Sequence, residues 1–474
     1  MKHGRTAIVN FLSRFSMSIA GFISTVTLTN LLGRDTYGAY VVVISVLAWV
    51  SIAGNLGIAP ALRKRLSEST EGNFVVSGLG MQLVLYLVVA SVLWTVRGPL
   101  NTYLGVEATN VLIALLGVKL LVKIAQAILE GQHLVHIASV ISPVEMIARS
   151  AVQVSLVVLG FDLYGAFFGY FVGAIVAAAV GAYFVRFSIS VPTKQDVLQL
   201  TSYAKFSWFA QVKGRAFLSM DTIILAFFVT NGVIAVYEVA WNVASMLAIF
   251  GSSVARTLFP EISEISSESS DYEGVSEYLR IGLAYSGLFL IPGLVGGALV
   301  GDVLLTIYGD GFDTGYYILL ILTFARLLYA YQMQFMSTID AIDRPDITFR
   351  INTAFVGSNV VLNVLLVWQY GWYGAAVATT FSAAVSLLLA YRSIRRFVTV
   401  DMPYRPVAKQ FLSVVPMAGV VLVGREFVGS SLPVVIVLVG IGAVIYFASL
   451  VTVSREFRTT VEDNLPWELP GISR

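Results

Sequence analysis

Apolar residues run through this chain in long blocks rather than in alternation. A helix needs about 20 apolar residues to cross a hydrocarbon core about 30 Å thick. Fourteen such stretches can be drawn, at roughly 7–30, 40–62, 74–97, 109–130, 137–159, 163–187, 203–230, 233–258, 279–307, 314–338, 348–369, 372–397, 407–428 and 432–453. The period-two alternation of a transmembrane barrel is missing. The pattern predicts an all-α, polytopic membrane protein with about 14 transmembrane helices. The first stretch is too long for a secretory leader and no small-residue cleavage site follows it, so it reads as a span.

Composition narrows the function. Of 474 residues, 57% are hydrophobic and 12% charged, about half the usual charged share of ~25%. That excludes a soluble enzyme, a nucleic-acid binder and a disordered protein. There is no cysteine and only three histidines, so no metal site and no cofactor are expected. No loop is long enough to fold as a catalytic domain, and the chain is not expected to be an enzyme.

Charge placement orients the chain. With a cytoplasmic N-terminus, twenty Lys and Arg residues fall on the inside, against Arg34, Arg97 and Arg425 outside. This is the positive-inside bias of a plasma-membrane protein. An even number of spans returns the C-terminus to the cytoplasm.

A repeat appears on shifting the chain by 209 residues. Val152–Val158 before Leu163-Tyr164-Gly165-Ala166 resembles Val361–Val367 before Trp372-Tyr373-Gly374-Ala375. The shift predicts two six-helix lobes, 1–190 and 200–397, followed by helices 13–14 (406–453) and a cytoplasmic tail (454–474). Parallel repeats of this kind are a transporter architecture.

Seven basic residues remain inside predicted spans: Arg14, Lys119, Lys123, Arg149, Lys213, Arg215 and Arg326. The acids there are Glu145, Asp221 and Glu238. Each charge in hydrocarbon costs at least ~2.5 kcal/mol, so these groups pair or line a wet cavity. Arg14 lies nine residues after Arg5, about 13 Å deeper along a helix. Lys119 and Lys123 share one helix face, where like charges repel unless they meet water or an anion. One of them can instead pair with Glu145. Glu145 and Arg149 are four apart and can neutralise each other, which makes Arg149 the weakest of the cavity candidates. Lys213 and Arg215 point in nearly opposite directions, so at most one faces a given cavity. The excess of base over acid favours an anionic ligand. Arg and Lys both suit phosphate, Arg through paired hydrogen bonds. Asp221 and Glu238 are candidates for binding a coupling ion.

Three segments resemble the polysaccharide-transporter branch, or Wzx-type flippases, of the multidrug/oligosaccharidyl-lipid/polysaccharide exporter superfamily. They are Leu31-Leu32-Gly33-Arg34-Asp35-Thr36-Tyr37-Gly38-Ala39-Tyr40; Leu304–Gly309 with Phe312; and Asn359–Asn363 with Tyr370–Thr379. The resemblance implies two lobes around a central cavity and alternating access. It implies transport of a lipid-linked oligosaccharide, on a polyisoprenyl phosphate or diphosphate, for surface polysaccharide or glycoprotein biosynthesis. Arg14 matches the basic residue expected in the first helix, where such flippases hold the phosphate. Membrane lipid and glycan-assembly enzymes are the other partners implied. Two alternatives remain: a cation-coupled multidrug or metabolite exporter of the same superfamily, which calls for an excess of intramembrane acid, and a membrane-embedded glycan ligase or polymerase, which calls for a large external loop.

Overall fold

The computed structural model describes residues 2–68, 73–186, 193–268 and 272–464. Side chains are described at residue 17 and from 19 on, apart from 206, 209–219, 268, 273, 461, 463 and 464 within those ranges. The chain divides into two compact units, Met1–Ala235 with Tyr308–Asp310, and Val236–Ile307 with Gly311–Arg474. In the first lie α1 (Lys2–Asn55), α2 (Ile58–Glu68), α3 (Phe74–Thr95), α4 (Arg97–Leu104), α5 (Thr109–Gly131), α6 (Val135–Val158), α7 (Asp162–Phe184) and α8 (Lys194–Leu225). Helix α9 (Asn231–Leu247) begins at the boundary. The second unit continues with α10 (Ile249–Glu268), α11 (Glu273–Ser286), α12 (Leu290–Leu305), α13 (Tyr316–Ala341), α14 (Pro345–Ile394), α15 (Tyr404–Phe427), α16 (Leu432–Val453) and α17 (Arg455–Asn464). Among the described residues there is no strand, as the unbroken apolar blocks require.

Among the described residues, ten helical segments are long and apolar enough to cross a membrane, or eleven when α9 and α10, bent by 44° at their break, count as one span. The protein is therefore a multi-pass membrane protein, but fourteen separate crossings are not established. Helix α8 lies over the seventh predicted stretch, and the side chains at 206 and 209–219 within it lie outside the described residues. Two others are far longer than a crossing. A straight 50-residue helix would extend about 75 Å, more than twice the core thickness.

Helix α14 breaks at Gly371, whose φ of 57° and ψ of −139° are not helical. Asn359 Nδ2 donates to Thr379 Oγ1 at 3.3 Å, although residues 20 apart in a straight helix lie about 30 Å apart. The chain therefore doubles back, and α14 is two antiparallel limbs. Trp368 and Tyr370 beside the reversal are 76% and 58% exposed, where aromatic rings suit a membrane interface. Helix α1 behaves alike at Gly33 (φ 71°, ψ 167°). Ser24 Oγ donates to Gln153 Oε1 at 3.2 Å, and Gln153 Nε2 donates to the Tyr40 hydroxyl at 2.8 Å. A single amide thus reaches two residues that a straight helix would separate by about 24 Å. Hydropathy separates such limbs because charge and glycine interrupt the apolar run.

The internal repeat has a structural counterpart. In the α6–α7 hairpin, a Cβ on Gly165 would lie 3.1 Å from Leu156 Cβ; in α14, one on Gly374 would lie 2.0 Å from the Leu366 carbonyl oxygen. The leucines are 210 residues apart and the glycines 209, so the first hairpin has one extra residue in its turn. The helices before the hairpins end alike. His133 N–H donates to Glu130 O and Leu134 N–H to Leu129 O, as Asp343 N–H donates to Asp340 O and Arg344 N–H to Ile339 O. His133 and Asp343 both have positive φ, 62° and 59°. In this register Lys119 of α5 matches Tyr329 of α13. Arg149 and Tyr170 match Asn359 and Thr379.

Candidate functional site

Helices α5, α6 and α7 and the second limb of α1 bring together four intramembrane charges of the first unit, Lys119, Lys123, Glu145 and Arg149. Helix α7 packs very close to α6. A Cβ on Gly169 would lie 2.5 Å from Gln153 N, and one on Gly173 would lie 2.8 Å from Arg149 N. Small residues at this spacing allow backbones to approach. The same contact places Tyr170, between those glycines, beside Arg149. Gln153 fixes the assembly further. Besides its bonds to Ser24 and Tyr40, it donates to Ala166 O at 2.7 Å, and it is 1% exposed.

A cavity of about 370 Å³ opens here, lined by Leu47, Ala48, Ser51, Ile52, Lys119, Lys123 and Tyr170. That volume is in the range of small-molecule sites, roughly 300–1,000 Å³. Lys119 and Lys123, one turn apart, both reach its wall. Lys123 Nζ donates to Ser51 Oγ at 3.0 Å. Lys119 Nζ donates to Glu145 Oε1 at 2.6 Å. Both Lys119 Nζ, at 5.5 Å, and the Arg149 guanidinium, at 4.8 Å, lie over the Tyr170 ring, within the reach of cation–π attraction. Arg149 Nη2 donates to Met146 Sδ at 2.9 Å, a weak acceptor, and its Nε is buried without a hydrogen-bond partner. Lys119 and Lys123 thus stand on the wall and Arg149 beside Tyr170, with Glu145 paired to Lys119, and the local excess of positive charge suits an anion.

The pairing is across helices, not along one. Glu145 takes Lys119 of α5 rather than Arg149, four residues on in its own helix. Arg149 does not line the cavity wall; it flanks Tyr170 from behind. The other candidates lie apart from this cluster. Arg326 belongs to the second unit, buried on α13, where it donates to Ser245 Oγ and its guanidinium lies 3.8 Å from the centre of the Trp241 ring. Asp221 is half-buried on α8, in the first unit, and Glu238 half-buried on α9, in the second. Neither is on the cavity wall. The side chains of Arg14, Lys213 and Arg215 lie outside the described residues. No group of three or more Asp, Glu or His side chains is placed to hold a metal ion among the described residues.

Tyr170 and Ser51 are contributors that the charge pattern does not reveal. A lone Tyr or Ser in an apolar stretch carries no signal of its own. For Tyr170 the usable signal is the Gly165, Gly169, Gly173 stripe, which marks the side of α7 that α6 must touch.

Residues 4–266, more than half of the chain, match the family model described as polysaccharide biosynthesis protein. The chain belongs to this family. It agrees with the polysaccharide-transporter resemblance of the three motifs. The chain is 28% identical over 471 residues to a Haloferax volcanii protein named probable flippase AglR, with 98% of each chain covered. It is 25% identical over 469 residues to the probable low-salt glycan biosynthesis flippase Agl15 of the same organism, with 98% of this chain and 99% of that one covered. Among solved structures, it superposes on the lipid II flippase MurJ in an inward closed conformation with a TM-score of 0.80, at 16% identity, over 96% of this chain and all of that one. At that identity the likeness establishes a shared fold.

Proposed function

We propose that this protein flips a lipid-linked oligosaccharide across the cytoplasmic membrane by alternating access. The observation that carries this reading is the cavity wall formed by Lys119 and Lys123, beside which stands a single carboxylate. Moving a phosphate-bearing head group through hydrocarbon is opposed by desolvation. Fixed cations facing a wet cavity replace the water that the head group gives up. Tyr170 supplies an aromatic surface under Lys119 and Arg149, while the lipid tail stays in the bilayer. Arg14, Lys213 or Arg215, and Arg326 are further cationic contacts in this proposal. Family membership and full-length similarity to two proteins named as flippases support it.

The protein acts as a transporter rather than an enzyme, with both termini in the cytoplasm and glycan-assembly enzymes as neighbours in the pathway. In a deletion strain, lipid-linked glycan is expected to accumulate on the cytoplasmic leaflet while surface glycan is lost. Normal surface glycan with no accumulated intermediate, in a strain without a second copy of the function, would overturn the proposal.

A further inference from the structure

Among the described residues, Glu145 is the acid that pairs with Lys119, and its position is specific. It holds Lys119 at 2.6 Å from behind the cavity, and it does not itself line the wall. Its side chain is only 11% exposed, against 23% for that of Lys119. The ammonium is therefore shared between a buried carboxylate and the open cavity. Lys123, one turn away, is held by a neutral partner, the Ser51 hydroxyl.

A carrier must release what it binds. A dianionic linker facing the two wall lysines with no competing charge would be held tightly, because charge pairs strengthen where the local dielectric is lower than in bulk water. An internal carboxylate that reclaims one cation as the ligand leaves lowers that affinity and keeps the empty site partly neutralised. We infer that Glu145 is an internal counter-ion that competes with the phosphate of the transported lipid for Lys119, setting affinity low enough for release. The inference rests on the cavity being the anion site proposed above. Glu145 is a specificity- and affinity-determining group; it does not touch the ligand in this account.

The second unit provides a control within the same chain. At the matched positions stand Tyr329 for Lys119, Phe355 for Glu145 and Asn359 for Arg149. Where the cation is absent the carboxylate is absent too. The acid therefore goes with the cationic function, not with the packing of the repeat.

The test uses the purified full-length protein in detergent and inorganic pyrophosphate, with binding read by equilibrium titration at neutral pH. Glu145→Gln is expected to bind pyrophosphate about tenfold more tightly than the wild type, a modest effect beside the coupling of close charge pairs. Glu145→Asp, which keeps the charge on a shorter arm, is expected to tighten binding by about threefold and carries the test if the Gln variant does not fold. In Lys119→Gln/Glu145→Gln most of the gain over Lys119→Gln alone should vanish, since the contested cation is gone. Unchanged or weaker binding in both single variants at Glu145 would overturn the counter-ion role alone, provided that Lys123→Gln weakens binding. If the wild type does not bind pyrophosphate, or Lys123→Gln leaves binding unchanged, the cavity is not the anion site and the proposed function loses its central support. In reconstituted transport the counter-ion account also predicts a lower KM together with a lower kcat for Glu145→Gln. A merely structural role would not lower KM.

Discussion

The α6–α7 hairpin and the doubled helix α14 have the same construction and opposite chemistry. Each is a pair of antiparallel limbs pinched by a glycine, Gly165 against Leu156 and Gly374 against Leu366. Each has a buried amide in its first limb, Gln153 at 1% exposure and Asn363 at 0%. At matched positions across the two limbs, the first hairpin sets Arg149 over Tyr170, and the second sets Asn359 against Thr379. The difference teaches that backbone packing was kept while the polar cargo of the hairpin changed. A neutral hydrogen-bonded pair is enough to hold the limbs together. The ions of the first hairpin are therefore not required by the packing, and the anionic ligand of the proposed function would account for them.

The largest effect that can break this comparison is expected at Lys119. Lys119→Met leaves Glu145 a buried, unpaired charge and should destabilise the protein by about 3–5 kcal/mol. Tyr329→Phe, at the matched site of the second unit, should cost less than about 1 kcal/mol. Denaturation of both detergent-purified variants measures the difference; equal losses would mean that the two sites are not chemically distinct. Next is the glycine pinch. Gly374→Ala places a Cβ 2.0 Å from a backbone oxygen and should cost about 2–3 kcal/mol, whereas Gly165→Ala meets the Phe161 and Leu156 Cβ atoms at the longer distances of 2.9 and 3.1 Å, needs a smaller backbone shift, and should cost about 1 kcal/mol. The same denaturation experiment ranks them.

A third variant converts one hairpin into the other. Arg149→Asn with Tyr170→Thr should leave the protein folded but reduce glycan export on the order of tenfold, by removing one cation and its aromatic support. Full export would show that this pair serves only the fold. The smallest effect sharpens the boundary of the first unit. At the start of α8, Thr193 and Asp196 form a reciprocal cap. The Thr193 backbone N–H, the Thr193 hydroxyl and the Asn73 backbone N–H hold the Asp196 carboxyl below the usual aspartate range. A carboxyl whose pKa is depressed by folding stabilises the fold above its unfolded value, near 3.9, and loses that effect as pH falls through the lower folded value. Asp196→Ala should thus cost about 1 kcal/mol at neutral pH and progressively less at acidic pH. Amide exchange in the first turn of α8, followed against pH, reports it.

The architecture was legible where it depends on composition. Apolar blocks announce helices in lipid, and the shifted repeat announces a second hairpin like the first. The breaks near Gly33 and Gly371 were legible too, since the apolar stretches part there and the backbone leaves helical geometry at both glycines; the full number of crossings was not. Within the site, the i,i+4 spacing of Lys119 and Lys123 pointed to a shared face, since like charges at that spacing need a reason. Glu145 was ambiguous for a physical cause. In sequence its nearest cation is Arg149, but the α6–α7 contact turns Arg149 toward Tyr170 and leaves Glu145 to α5. Such choices depend on the interhelical approach that Gly169 and Gly173 permit, and a single helix does not encode it.

The central claim is that Lys119 and Lys123 hold the phosphate-bearing head group during flipping. The most direct measurement expresses Lys119→Gln/Glu145→Gln/Lys123→Gln, which leaves no buried charge unpaired at this ion pair, in a deletion strain and assays the leaflet on which lipid-linked glycan resides. The account predicts that the variant inserts in the membrane at the wild-type level, that glycan accumulates on the cytoplasmic leaflet, and that surface glycan is lost. Wild-type surface glycan from that variant would contradict it.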